Sequence, residues 1–185
     1  MSQVGEHIES LLQLCLKGNQ RAQMEIYNRY YKAMYNTAFR IVKDRAEAED
    51  IMQESFLNAF TKLHSFKGNV AFGAWLKRIV INKSLVSYRN RKKKNEVSIN
   101  DTLYKVRDND VADANDVDTE QLAQQVLTAM KSLKENYRVS LTLHLIEGYD
   151  YEEICGLMDI SYANCRTIIS RAKESLRKKL DPVKS

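Results

Sequence analysis

Three histidines (His7, His64 and His144) and three cysteines (Cys15, Cys155 and Cys165) are the side chains best suited to nucleophilic, redox or metal chemistry, and they lie far apart along the chain. No CxxC pair, no GxxxxGKS/T phosphate loop and no Ser/His/Asp or metal-ligand spacing can be assembled. The sequence therefore predicts no catalytic residue, no metal site and no cofactor, and the cysteines read as thiols. Cys155 and Cys165 flank one short turn, where two small core residues are a simpler reading than a redox pair. The chemistry that remains is electrostatic. Leu76 to Asn95 holds eight Lys or Arg and no acid, and Arg166 to Lys179 sets six Lys or Arg against Glu174 alone. Uncompensated cations at that density suit a polyanion. Between the two blocks, Glu96 to Glu120 inverts the balance, with eight Asp or Glu against Lys105 and Arg107. From Val106 to Glu120 that run has almost no large apolar side chains, and it reads as a solvated, flexible tether.

The 185 residues carry a formal charge of +5 and 44% hydrophobic side chains, enough for one or two small cores but not for a large multidomain enzyme. One Pro and six Gly argue against a turn-rich β architecture, and no run of 18 apolar residues exists to insert into a membrane. The first ten residues have neither the basic nor the apolar stretch of a secretion signal, so the expected location is cytoplasmic. The expected fold is all-α, with two small helical domains at 1–95 and 119–185 joined by an acidic flexible linker at 96–118. The second domain should carry a helix-turn-helix.

Helical spacing positions the charges. Ile8, Leu11, Leu12 and Cys15 mark a first helix, Gly18-Asn19 stops it, and Ile26, Tyr30, Met34 and Phe39 mark a second from about Ala22 to Val42. Asp44 and Glu47 form a capping pair for a third helix, which turns Met52, Phe56, Ala59, Phe60 and Leu63 inward and ends near His64. On it, Glu47, Asp50 and Glu54 fall within about 60° of one another, with Gln53 at the edge. This acidic stripe is either ordinary solvated charge or a binding face. Ser65 to Ala71 breaks the pattern. A fourth helix then places Phe72, Trp75, Leu76, Ile79 and Val86 on its buried face and Arg78, Asn82 and Arg89 on a flank. Cations beside Phe66, Phe72, Trp75 and Tyr88 suit a nucleic-acid strand, although Trp75 fits a core position equally well.

Beyond the tether, Leu122, Val126, Leu127, Met130 and Leu133 form another helical stripe. Tyr137, Val139, Leu141, Leu143 and Leu145 alternate as a strand would, but no second strand is available to pair with, so a helix burying several faces is expected. Asp150 and Glu153 form a second capping pair for a short helix with Tyr151, Ile154, Cys155 and Met158 on one face. Asp159-Ile160-Ser161 turns the chain, and Ser161 caps a longer helix. That helix points Cys165, Ile168, Ile169, Ala172 and Leu176 inward and Arg166, Thr167, Ser170, Lys173 and Arg177 outward. The layout fits a helix-turn-helix with a basic reading helix in the major groove, or a helical hairpin with a charged exterior.

The segments AEAEDIMQESFLNAF at 46–60, SFKGNVAFGAWLKRIVIN at 65–82 and GYDYEEICGLMDISYANCRTIISRAKESLRKKL at 148–180 resemble, in order, three motifs of the sigma-70 family of transcription initiation factors, specifically its extracytoplasmic function group. The resemblance spans nearly the whole chain. It implies a dissociable promoter-specificity subunit without catalytic activity. The acidic helix would dock on core RNA polymerase through Glu47, Asp50, Gln53 and Glu54. The loop and the fourth helix would open and read the minus-ten promoter element as single strand, through Lys67, Asn69, Trp75, Arg78, Asn82, Lys83 and Arg89. The last helix would read the duplex minus-thirty-five element through Tyr162, Asn164, Arg166, Thr167, Ser170, Arg171, Lys173 and Arg177. The implied partners are core RNA polymerase, promoter DNA and an anti-sigma factor. The alternative is a stand-alone helix-turn-helix repressor or activator, which would need neither the docking helix nor the loop. Several positions depart from the pattern, and Asn164, Cys165 and Arg166 are unusual enough that the sequence read by this helix cannot be copied from a relative. Ile168 stands where many relatives have a basic residue, which implies an altered promoter preference, and Lys134 replaces a Pro that often precedes the second helix of the last module.

Overall fold

The computed structural model describes residues 3–97 and 119–180, so the linker expected at 96–118 lies, from residue 98 onward, outside the described residues. Every regular element among the described residues is helical, and none is a strand. The chain divides into two units, Met1–Arg91 and Lys92–Ser185.

The first unit is built on α1 (Gln3–Leu16), α2 (Gln20–Val42), α3 (Arg45–Thr61) and the start of α4 (Phe72–Val97). Gly18, at φ 77°, ends α1. Asn19 does more than stop that helix, because its side chain accepts the Ala22 N–H at 3.0 Å and so caps α2. Lys43 closes α2 in the left-handed region, and the Asp44 carboxylate accepts the Glu47 N–H at 2.8 Å to open α3. The α-helical part of α3 stops at Thr61, and a 3-10 turn from Leu63 to Ser65 carries the chain past His64. The core joins Ile26, Ala38 and Ile41 of α2 to Ala48, Phe56 and Ala59 of α3 and to Leu76, Val80, Ile81 and Leu85 of α4.

One expected core position is corrected. Val86 is exposed, because the buried ridge of α4 runs 72, 76, 80, 84, 88 in steps of four, whereas Val86 belongs to the exposed ridge Ala74, Arg78, Asn82, Val86, Asn90. At the start of α4, a Cβ on Gly73 would stand 2.8 Å from Cε1 of Tyr30, so only glycine lets this turn lie against that ring.

The second unit contains α5 (Thr119–Lys131), α6 (Glu135–Leu141), α7 (Tyr151–Met158) and α8 (Tyr162–Leu180), with a π-helical segment, Thr142–Ile146, continuing α6. The alternating stretch is therefore helical. Residues Arg138 to Leu143 are all buried, with α6 packed against α8 and α5, so its apolar letters mark no single face. The Arg138 guanidinium is buried there, 3.9 Å from Glu135. Lys134 sits at φ −54° and ψ 143° just before α6.

Asp150 opens α7 with a full capping box. Its carboxylate accepts the Glu153 N–H at 2.8 Å, and the Glu153 carboxylate accepts the Asp150 N–H at 3.0 Å. Asp150→Ala should cost about 1 kcal/mol and lower the melting temperature of this unit by about 4–8 °C, followed by circular dichroism on heating. An unchanged melt would show that the box does not hold α7 in place.

Candidate functional site

Three surfaces collect the candidate residues, and local helix geometry decides which of them act together. On α3, Asp50, Gln53 and Glu54 are exposed and lie within about 100° around the helix. Gln53 Nε2 donates to Glu49 Oε1 at 3.2 Å, and Glu54 Oε2 meets Lys83 Nζ of α4 at 3.1 Å. Leu57 continues the same stripe and is 68% exposed, a position the sequence reading missed. Its signal was available, since it is a large apolar residue on the polar face of an amphipathic helix. Glu47 is placed differently. It is half-buried, and its carboxylate accepts the Ser87 hydroxyl and, at 2.9 Å, the Arg91 guanidinium.

The second surface begins with the loop after α3. Phe66, Phe72, Trp75 and Tyr30 form one aromatic cluster, with Phe66 and Trp75 at 5.2 Å between ring centroids. Trp75 is thus packed on one side and half-exposed on the other, between the two readings of its sequence position. The cluster anchors both ends of a loop on which Gly68 turns at φ 69° and Lys67 and Asn69 stand in solvent. Between that loop and α1 runs a groove of about 1050 Å³, walled by Ile8, Leu12 and Leu16 on one side and Phe66 to Ala71 on the other. The α1 wall carries no signal in the sequence, because only tertiary packing brings it opposite the loop. Arg78 and Asn82 are exposed on α4, and half-buried Arg89 shares their flank. Lys83 does not, lying about 100° from Asn82 around the helix and turned toward Glu54.

The third surface is the exterior of α8. Asp159 turns the chain at φ 55°, and the Ser161 hydroxyl accepts the Asn164 N–H at 3.3 Å. Tyr162, Arg166, Ser170, Lys173 and Arg177 fall within about 80° of arc on α8, while Asn164 and Arg171 lie about 140–160° from Arg166 on the other flank. Thr167 stands between them, its hydroxyl donating back to Ala163 O at 2.9 Å. Glu174, the one acid of the helix, lies 2.8 Å from Lys178. This hydrogen bond lowers the pKa of Glu174 and raises that of Lys178, so both stay charged. On the inner face, Cys165, Ile169, Ala172 and Leu176 are buried and Ile168 is half-buried.

The sigma-70 region 2 model matches residues 26–94, and the sigma-70 region 4 model matches residues 123–176. The chain is 30% identical over 185 residues to the RNA polymerase sigma-H factor of Pseudomonas aeruginosa, covering 96% of each. It is 29% identical over 183 residues to the ECF RNA polymerase sigma-E factor of Haemophilus influenzae, covering 95% of this chain and 96% of that one. In fold it is similar to the sigma factor RpoE of Bartonella quintana, solved in complex with the anti-sigma factor NepR. The TM-score is 0.58 at 21% identity, over 87% of this chain and 98% of the other. It is also similar to CnrH, solved in complex with the cytosolic domain of CnrY, with a TM-score of 0.52 at 24% identity over 94% and 97%.

The inner side of the turn is open to a chemical check. Cys165 Sγ lies 3.7 Å from Tyr151 O and beside Cys155; burial, with the Cys155 thiol adding to it, pushes Cys165 up to about 11. Cys155 is half-exposed. Near neutral pH, iodoacetamide should therefore modify Cys155 first and leave Cys165 protonated and unmodified, as read by peptide mapping. Equal labelling of the two would show that the turn opens readily.

Proposed function

The chain belongs to the sigma-70 family, in its extracytoplasmic function group, and is a sigma factor rather than an enzyme; on that premise we propose how its surfaces divide the work. A sigma factor directs core RNA polymerase to promoter DNA and helps open it for initiation. In this chain, residues 1–95 carry polymerase docking and the minus-ten element, and residues 119–185 carry the minus-thirty-five element. Asp50, Gln53 and Glu54 offer core polymerase an exposed acidic stripe. Lys67 and Asn69 on the loop, with Trp75, Arg78, Asn82 and Arg89, hold the opened minus-ten strand. Cations take its phosphates and the half-exposed indole offers a stacking face. The groove beside the loop has the volume of a small-molecule site and can admit an unpaired base. On α8, Tyr162, Arg166, Ser170, Lys173 and Arg177 face the duplex together, with Asn164, Thr167 and Arg171 extending the contact across the helix.

The observation that carries this reading is the pairing, within the first unit, of an exposed acidic face on α3 with a basic flank and an aromatic-anchored loop on α4. A stand-alone repressor needs only the second unit. Because RpoE of Bartonella quintana was solved with an anti-sigma factor, an anti-sigma protein is a partner for this chain too. Its place of action is the cytoplasm, and no helix among the described residues is long and apolar enough to cross a membrane.

Reversing Asp50 and Glu54 to Lys should abolish co-purification with core polymerase and leave the helical circular-dichroism signal intact, since exposed charge reversals rarely unfold a helix. Retained co-purification would remove α3 from the interface. On α8 the early Arg166 and the late Arg177 should differ. Arg166→Ala should relax preference at one or two positions of the upstream element, a loss of about 1–3 kcal/mol in discrimination, whereas Arg177→Ala should weaken all sequences alike. Transcription from randomised upstream elements separates the two, and an unchanged sequence profile for Arg166→Ala would make it a phosphate contact.

A further inference from the structure

Glu47 sits in the acidic stripe by sequence, yet its carboxylate is engaged inside the first unit. Two links tie α3 to α4. Glu54 meets Lys83 at 3.1 Å, and Glu47 grips both Ser87 and Arg91, the latter at 2.9 Å. Lys83, Ser87 and Arg91 are spaced at i, i+4 and i+8, so they form one ridge of α4. Glu54 and Glu47 are two turns apart on α3, and the pairs run in antiparallel order. The ridge lies about 100–180° around α4 from Asn82, Arg89 and Arg78. Holding it therefore decides which way the cationic flank points.

The last turns of α4 need such a hold. Tyr88, 4% exposed, is the last buried side chain among those described on it, and Lys92, Lys93 and Lys94 stand in solvent. Five of the six residues from Arg89 to Lys94 are cations. Like charges at i, i+3 and i, i+4 repel along a helix, so this segment opposes its own helicity. The Glu47 carboxylate supplies an opposite charge at the point where the run begins. Its side chain is 28% exposed and that of Arg91 is 31%, so solvent screens the pair only in part. Glu47 lies in the first turn of α3, where the helix dipole favours an anion and the Asp44 cap fixes the backbone.

We infer that Glu47 is a positioning residue, a strut from α3 that keeps the last turns of α4 helical and presents their cations to the promoter strand. This rests on reading α4 as the DNA-facing helix. Arg89, Lys92 and Lys93 then fall within about 100° of arc on one side of α4, the side shared with Arg78 and Asn82. Ser87 contributes through the carboxylate rather than through DNA.

The test uses the full chain, first alone and then with core polymerase. In Glu47→Gln, amide hydrogen exchange over residues 89–94 should speed up by about three- to tenfold while the amides of α3 keep their protection. Glu47→Asp should recover part of the loss. In holoenzyme, Glu47→Gln should leave affinity for core polymerase within about twofold of the parent. It should weaken binding to a DNA fork bearing an unpaired minus-ten strand by about three- to tenfold, with a shallower salt slope. Unchanged exchange over 89–94 overturns the strut. A loss of core binding like that of the Asp50/Glu54 reversal, with exchange unaltered, would return Glu47 to the docking face. Faster exchange without any DNA effect would retain the strut but overturn its link to the promoter strand. Because the exchange arm needs no polymerase, failure of the wider assignment would leave that part of the answer standing.

Discussion

Phe72 is the side chain on which the first unit turns. It is 4% exposed, and its ring centroid stands 5.7 Å from each of those of Tyr30, Phe66 and Trp75. One ring thus joins α2, the loop and the first turn of α4. Burying it contributes about 1.5–3 kcal/mol, and each well-placed aromatic pair adds about 0.5–1.5 kcal/mol. The loop that displays Lys67 and Asn69 has few bonds of its own to hold its shape, so its geometry is borrowed from this cluster. Gly73 completes the arrangement by giving the Tyr30 ring room.

Features set by neighbours in sequence were legible before the structure. The caps at Asp44, at Asp150 with Glu153 and at Ser161 are of this kind, because each is closed by a residue three positions away. The turn between α7 and α8 and the outward basic face of α8 follow from the same short-range rules. Val86 was misplaced because a long helix buried along a four-residue ridge drifts around its own axis, and a shorter repeat loses phase with it. Residues 137–145 were ambiguous because the unbroken burial of Arg138 to Leu143 removes the contrast that periodicity needs.

Pairings across helices were not legible at all. Nothing near Glu47 in sequence distinguishes it from Asp50, yet one is bonded inside the unit and the other stands in solvent. Lys83 looked like its basic neighbours until the fold turned it toward Glu54. In α8 the distinction could be drawn locally, since Glu174 and Lys178 are four residues apart. Charge counts locate a polyanion-binding block, but the fold decides which charges within it remain available.

Lys134 bears on a different property. Its φ of −54° lies where a proline ring would hold the backbone, so the lysine leaves the folded path of the chain at α6 unaltered. What it changes is the unfolded ensemble, which gains conformations that a proline would forbid. Such a difference is worth about 0.4–1 kcal/mol, or a two- to fivefold larger open population. A chain with proline at this position and this one can therefore share one native shape yet differ in how long the unit survives heat or a protease, a divergence in lifetime rather than in recognition.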